Sequence, residues 1–189
     1  MTSSECQQCK MAVSDYYFIS VPDMLKWADG VVNVMYCVKE ESDIPRAITT
    51  LIENNATQRA FLELGLGPMT STFSNALPHW EEVYYVVELH SHAEVLALVK
   101  SDPRMLARTF LVEFCDFDKW DSDVQSDIAL IESYGLRSFA PTHDNSVTAT
   151  YDEHMKIFNL GFDAVYTYNL SNAVEARVDI NTQRGLTPP

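Results

Sequence analysis

The chain has 189 residues, 47 % of them apolar, few Gly and Pro, and a formal net charge of −14. That balance describes a folded domain with a core, not a disordered or fibrous chain. It excludes a sequence-independent electrostatic grip on nucleic acid or anionic lipid, because both need a positive face. No apolar run reaches the roughly 18–20 residues of a membrane-spanning helix. The polar start "MTSSECQQCK" has no apolar core of the kind a secretory signal carries, so a cytoplasmic location is the expectation.

Residues 1–20 form an N-terminal segment that offers one strand at most, in "DYYFIS". Its Cys6-x-x-Cys9 has no second pair to complete a zinc site and reads as two terminal thiols. Residues 21–183 then alternate between two kinds of pattern. "VVNVMYCV" (31–38) is a short Val-rich run of the sort a strand buried on both faces shows. "SDIPRAITTLIENN" (42–55) carries a helical stripe of Ile44, Ala47, Ile48, Leu51 and Ile52 behind a Pro near its first turn. A strand follows at 59–67, then a loop or irregular helix at 67–80, and a strand at 83–91. Residues 92–108 read as helix interrupted at Pro103, 109–117 as strand, and 121–135 as helix stopped by Gly135. Strand 136–142, helix 147–161, strand 162–169 and helix 170–183 complete the pattern, with a short tail at 184–189.

Strand starts recur every 24 to 28 residues. This regular alternation predicts an α/β fold with a parallel sheet and helical crossovers. No Gly-rich phosphate fingerprint is present, so the expectation is a TIM-type (β/α) barrel rather than a dinucleotide fold. About six strands are present where a full barrel has eight, so the barrel is incomplete or modified. Six strands leave two open edges. Either a closing strand from residues 12–20 or a homodimer covering the gap is therefore expected.

Two stretches carry a family resemblance. "SVPDMLKWADGVVNVMYCVKEESDIPRAITTLIENN" places a Pro-initiated helix before a strand ending Cys37-Val38-Lys39. "YGLRSFAPTHD" and "DEHMKIFNLGFDAVYTYNL" place a helix ending Leu-Gly-Phe-Asp before a last strand. In order and motif these resemble the third to eighth βα units of glycerophosphodiester phosphodiesterases, barrels of the phospholipase-C-like kind. The resemblance implies metal-assisted hydrolysis of a small phosphodiester, with Lys39 touching the substrate and Mg²⁺ or Ca²⁺ as cofactor. It also implies a partial or degenerate member. No His-Arg strand and no Glu-x-Asp strand stand ahead of residue 21, Cys37 stands where the family keeps a carboxylate, and Tyr168 stands where it keeps an Asp. A non-catalytic barrel module binding a ligand or partner is the alternative.

The residues themselves raise one question. "FLEL", "VVEL" and "LVEF" set Glu63, Glu88 and Glu113 inside apolar strands at two spacings of 25 residues. Equivalent positions on successive strands point the same way. An isolated ionised Glu inside a fold is costly, so each carboxyl must keep a proton, pair, or hold a metal. Lys39 and Arg137 are candidate partners, and His90 is a candidate further ligand with Glu63, Glu88 and Glu113. His90-x-His92 also matches a zinc-ligand spacing, with Asp116, Asp118 or His143-Asp144 as supplements, or it is a helix cap. The resemblance further implies a phosphate-bearing small molecule as the ligand of such a site.

Overall fold

The computed structural model describes residues 19–120, 123–142 and 149–186. Among the described residues six parallel strands carry the fold: β1 (Val34–Cys37), β2 (Ala60–Gly65), β3 (Tyr84–Leu89), β4 (Thr109–Phe114), β5 (Ser138–Pro141) and β6 (Ala164–Tyr166). They lie side by side in chain order, and the sheet curls into a half-barrel. Helices α1 (Val21–Ala28), α2 (Ile44–Glu53), α3 (Leu66–Ser74), α4 (His92–Val99), α5 (Pro103–Arg108), α6 (Val124–Ser133), α7 (Tyr151–Leu160) and α8 (Leu170–Gln183) precede, connect and follow them.

Local chemistry sets the boundaries. Ser20 and Ser91 accept first-turn backbone N–H groups at the starts of α1 and α4. Thr150 and Glu153 form a reciprocal capping box at α7. Gly161 ends that helix at φ 115°, a backbone state that favours glycine. Pro103 splits 92–108 into α4 and α5, with Asp102 capping the second piece through the Arg104 N–H.

Alternation along the strands separates two faces. Leu62, Leu64, Tyr85, Val87, Leu89, Val112 and Phe114 face the helices and pack with Leu25, Ile48, Leu98, Ile131 and Ile157 in one large core. The concave face carries a smaller apolar layer of Phe61, Val86 and Phe139, flanked by Tyr84, Leu111 and Ala164. A register shift between Tyr85 and Val86 leaves Phe110 as an extra residue opposite them, a bulge that turns its ring onto this face. There it stacks on Phe61 with centroids 4.1 Å apart, although β3 lies between their strands. The curl of the sheet allows that contact.

The differences from the sequence reading have physical causes. Residues 66–74 form a regular helix, α3, with Gly65 rather than a polar residue at its N-cap. Strand β1 begins only at Val34, because Val31 and Val32 spend their N–H groups on the Ala28 carbonyl in the turn after α1. The closing strand expected from residues 12–20 lies outside the described residues, apart from Ile19 and Ser20. Ser20 is spent as a helix cap.

Leu62 is fully buried at the centre of the larger core. Leu62→Ala is expected to lower unfolding free energy by about 2–5 kcal/mol in urea denaturation, the range for deleting a buried leucine side chain.

Candidate functional site

Strand parity puts Cys37, Glu63, Glu88 and Glu113 on the concave face, toward the C-terminal ends of β1 to β4. Their levels differ from what equal spacing suggests. Cys37 lies opposite Glu63, and Glu88 lies opposite Glu113. Between β2 and β3, however, Glu63 faces Val86 and Gly65 faces Glu88. The row therefore slips by two residues at that boundary, in keeping with the stagger that closing a barrel requires. Two cross-strand pairs result, one step apart along the sheet.

One donor atom each from Cys37, Glu63 and Glu88 lies within 4.8 Å of the others. Met35, Cys37, Lys39, Glu63, Glu88, Glu113 and Tyr166 line a cleft of about 500 Å³. Its deepest carboxyl groups are Glu63 and Glu113, both buried. Burial, then a hydrogen bond to Glu63, then the charges of Glu63 and Glu88 push Glu113 up to about 8. At neutral pH it keeps its proton and donates it to Glu63. Burial and its hydrogen bond to Glu63 push the Cys37 thiol up to about 11, so it too is a proton donor to that carboxylate. Cys115 also bonds Glu113 and is raised, chiefly by burial. Lys39, exposed at the rim, contacts Cys37, and that sulfur together with Glu88 and Glu63 raises its ammonium above the ordinary lysine range. Tyr166 joins the lining from β6 with its hydroxyl 3.2 Å from that of Tyr168. That bond, then burial, hold the Tyr166 phenol up at about 12.

The structure thus brings together Lys39, Glu63, Glu88 and Glu113. His90 it places elsewhere. This residue lies past the end of β3, gives its backbone N–H to the Glu94 carboxylate at 2.6 Å, and lines a second cleft with Ser91, His92, Ala93, Asp116, Lys119 and Trp120. Arg137 immediately precedes β5, accepts the Val112 N–H through its carbonyl and is exposed, but it is not among the residues lining the glutamate cleft. Among the described residues Lys39 is the cation at the cluster. His92 begins α4 and bonds Asp127 of α6 at 2.6 Å. His143 and Asp144 lie outside the described residues. The sequence reading did not single out Tyr166, though strand parity from Ala164 on the concave face reaches it in one step.

No family model matches the chain, and no curated protein matches it. A solved structure of dihydrodipicolinate synthase from Rhodopseudomonas palustris is similar, with a TM-score of 0.51 and 12 % identity over 87 % of this chain and 56 % of that one. This chain therefore spans just over half the length of that protein. At this identity the likeness shows the fold, an incomplete TIM-type barrel, and nothing finer. It also corrects the glycerophosphodiester phosphodiesterase resemblance, because the similar structure belongs to a different barrel family and neither sequence comparison supports the phosphodiesterases. With that resemblance go its phosphodiester hydrolysis and lipid-metabolism implications.

The motifs behind the resemblance perform general structural work. Pro22 and Ser20 start α1, and Gly161 stops α7. The Asp163 carboxylate accepts the Ser138 N–H at 3.1 Å, tying β6 to β5. Thr167 bonds the buried His154 at 3.0 Å and accepts the Asn169 N–H at 3.0 Å. Any βα unit needs such starts, stops and ties.

The raised Glu113 has a consequence for stability. Its value in the fold, about 8, exceeds the 4.5 of a free glutamate. The folded state thus holds a proton that the unfolded chain releases, and the stability this contributes is fully present below pH 4.5 and is lost as pH rises through about 8. In the metal-free protein, urea midpoints measured either side of neutrality should fall from mildly acidic to mildly alkaline buffer. Glu113→Gln should flatten that fall.

Proposed function

We propose that the concave cleft binds one divalent cation through Cys37, Glu63 and Glu88, and that the bound ion holds a small oxyanion-bearing ligand under Lys39. The observation that carries this reading is the convergence of a thiol and two carboxyl groups within 4.8 Å of one another on three adjacent strands. Rigid strands hold those donors more closely than loops would.

In the metal-free protein the site is neutralised by protons, on Glu113 and on the Cys37 sulfur. A cation takes over that task and releases protons as it binds. Its identity follows from the donor set. A thiolate among oxygen ligands favours a zinc-class ion over the Mg²⁺ or Ca²⁺ that oxygen ligands alone suggest. Glu113, opposite Glu88 and one hydrogen bond from Glu63, then becomes an adjacent carboxyl able to give or take a proton. Lys39 supplies a second positive charge at the rim, which suits a phosphate or carboxylate on the incoming molecule.

The test is thermal unfolding of chelator-treated protein with Zn²⁺, Mn²⁺, Mg²⁺ or Ca²⁺ added singly. A bound ion at about a hundred times its Kd should raise Tm by about 5–10 °C for a chain of this size. Glu88→Gln should abolish the rise, and inorganic phosphate should add to it only when the ion is present. If none of the four ions moves Tm in the parent protein, the cation reading ends.

A further inference from the structure

The second cleft, of about 420 Å³, opens where β3 and β4 end, and its lining includes His92. That is the end of a parallel sheet at which barrel chemistry is done. Among the described residues three carboxylate side chains are buried: Glu63, Glu113 and Asp127. The first two belong to the concave cluster. The third, Asp127, holds an imidazole of the neighbouring crossover. Asp127 sits in α6 with 2 % of its side chain exposed, and its Oδ1 lies 2.6 Å from Nδ1 of His92, whose own side chain is 50 % exposed.

Holding two helices together does not require this arrangement. A buried acid–base pair gives little net stability, and apolar residues of similar volume do as well or better. What the pair does is fix the ring. A carboxylate only accepts, so Nδ1 carries the proton and Nε2 is left as the basic nitrogen. His92 lines the cleft with Lys119, Asp116 and Trp120, and there the Lys119 ammonium lies 3.1 Å from the Asp116 carboxylate. A contrasting pair lies on the same molecule. His79 bonds Glu82 at the same 2.6 Å, but there the side chains are 60 % and 48 % exposed, as a surface pair should be.

We infer that His92, oriented by the buried Asp127, is the proton acceptor of a second site that takes a small hydroxyl-bearing molecule or water. Nε2 and Asp116 accept hydrogen bonds from the ligand hydroxyls, and Lys119 donates one. When the hydroxyl adds to a carbonyl carbon, Nε2 takes its proton, the oxygen's lone pair forms the new C–O bond and the carbonyl π pair moves onto its oxygen. This site is independent of the cation proposed on the concave face.

A neutral ester tests it with water as the hydroxyl. Water adds to the carbonyl carbon of p-nitrophenyl acetate as Nε2 accepts one of its protons, the tetrahedral adduct collapses with p-nitrophenolate leaving on the C–O electron pair, and Nε2 passes its proton to solvent, giving acetic acid, which ionises to acetate, and p-nitrophenolate. With the protein kept metal-free, His92→Gln should lose at least about tenfold of the protein-dependent rate, a modest share of what a positioned base contributes. His79→Gln should keep the parent rate. Nitrogen-15 chemical shifts should place the His92 proton on Nδ1 in the parent, and Asp127→Asn should lower the rate wherever circular dichroism shows it folded. A folded His92→Gln protein as fast as the parent overturns the inference, as does an equal loss in His79→Gln or a His92 proton found on Nε2. His92 is half exposed, so its substitution tests the idea even if Asp127→Asn does not fold.

Discussion

A carboxyl group held away from water must keep a proton, face a cation, or collect hydrogen-bond donors. Every unusual feature of the concave face follows from that constraint. Glu113 keeps its proton and gives it to Glu63. Glu63 also receives the thiol proton of Cys37. Glu88, half buried at the rim, shares the field of Lys39. Each of these groups is at the concave face because a strand alternates, and a strand with Leu62 or Val87 toward the helices must turn Glu63 or Glu88 the other way.

The helix-facing core is what makes this arrangement tolerable. Leucine, valine and aromatic side chains from all the longer strands meet the helices in one cluster, which leaves the concave side free to be imperfect. That side has its own apolar patch: Phe61 precedes Glu63 by two residues on the same face, Val86 stands opposite Glu63 and Phe139 opposite Glu113, with Phe110 stacked on Phe61. Apolar side chains and acids are thus interleaved on one face. These apolar neighbours fit the strong burial effects on Glu113 and on Cys115, because apolar surroundings raise the cost of charge.

Much of this could be read in the chain. Val-rich and Leu-rich runs placed the six strands, and glycine stops placed the helix ends at Gly135 and Gly161. Period-two alternation placed Glu63, Glu88 and Glu113 on one face. Register was beyond reach, because a repeat of 25 residues fixes where a slot recurs in the chain, not which residue stands opposite it. The slip that faces Glu63 with Val86, and the bulge at Phe110, depend on how the sheet curls as a whole. Long-range pairs were hidden for the same reason. His92 carries no local sign of Asp127, which lies 35 residues on in another helix. The family resemblance misled because it drew on caps and stops. Such residues record the βα architecture, which unrelated barrels share.

The separation of the two clefts follows from a single turn of chain. Glu88 is the last residue of β3 to face the concave side, and Leu89 returns to the helix-side core. Alternation alone would send His90 back beside Glu88. The strand ends first. Ser91 caps α4, Glu94 draws in the His90 N–H, and the backbone swings outward before parity can act. His92 then enters α4 and finds Asp127 on α6, a neighbour only because consecutive crossover helices pack side by side on the same face of the sheet. Two residues beyond a carboxylate on the concave face, the chain has thus built a different environment. There a buried acid orients a base, whereas on the sheet buried acids share protons with each other. The parallel topology sets both at the same end of the molecule, and the cap at Ser91 keeps them apart.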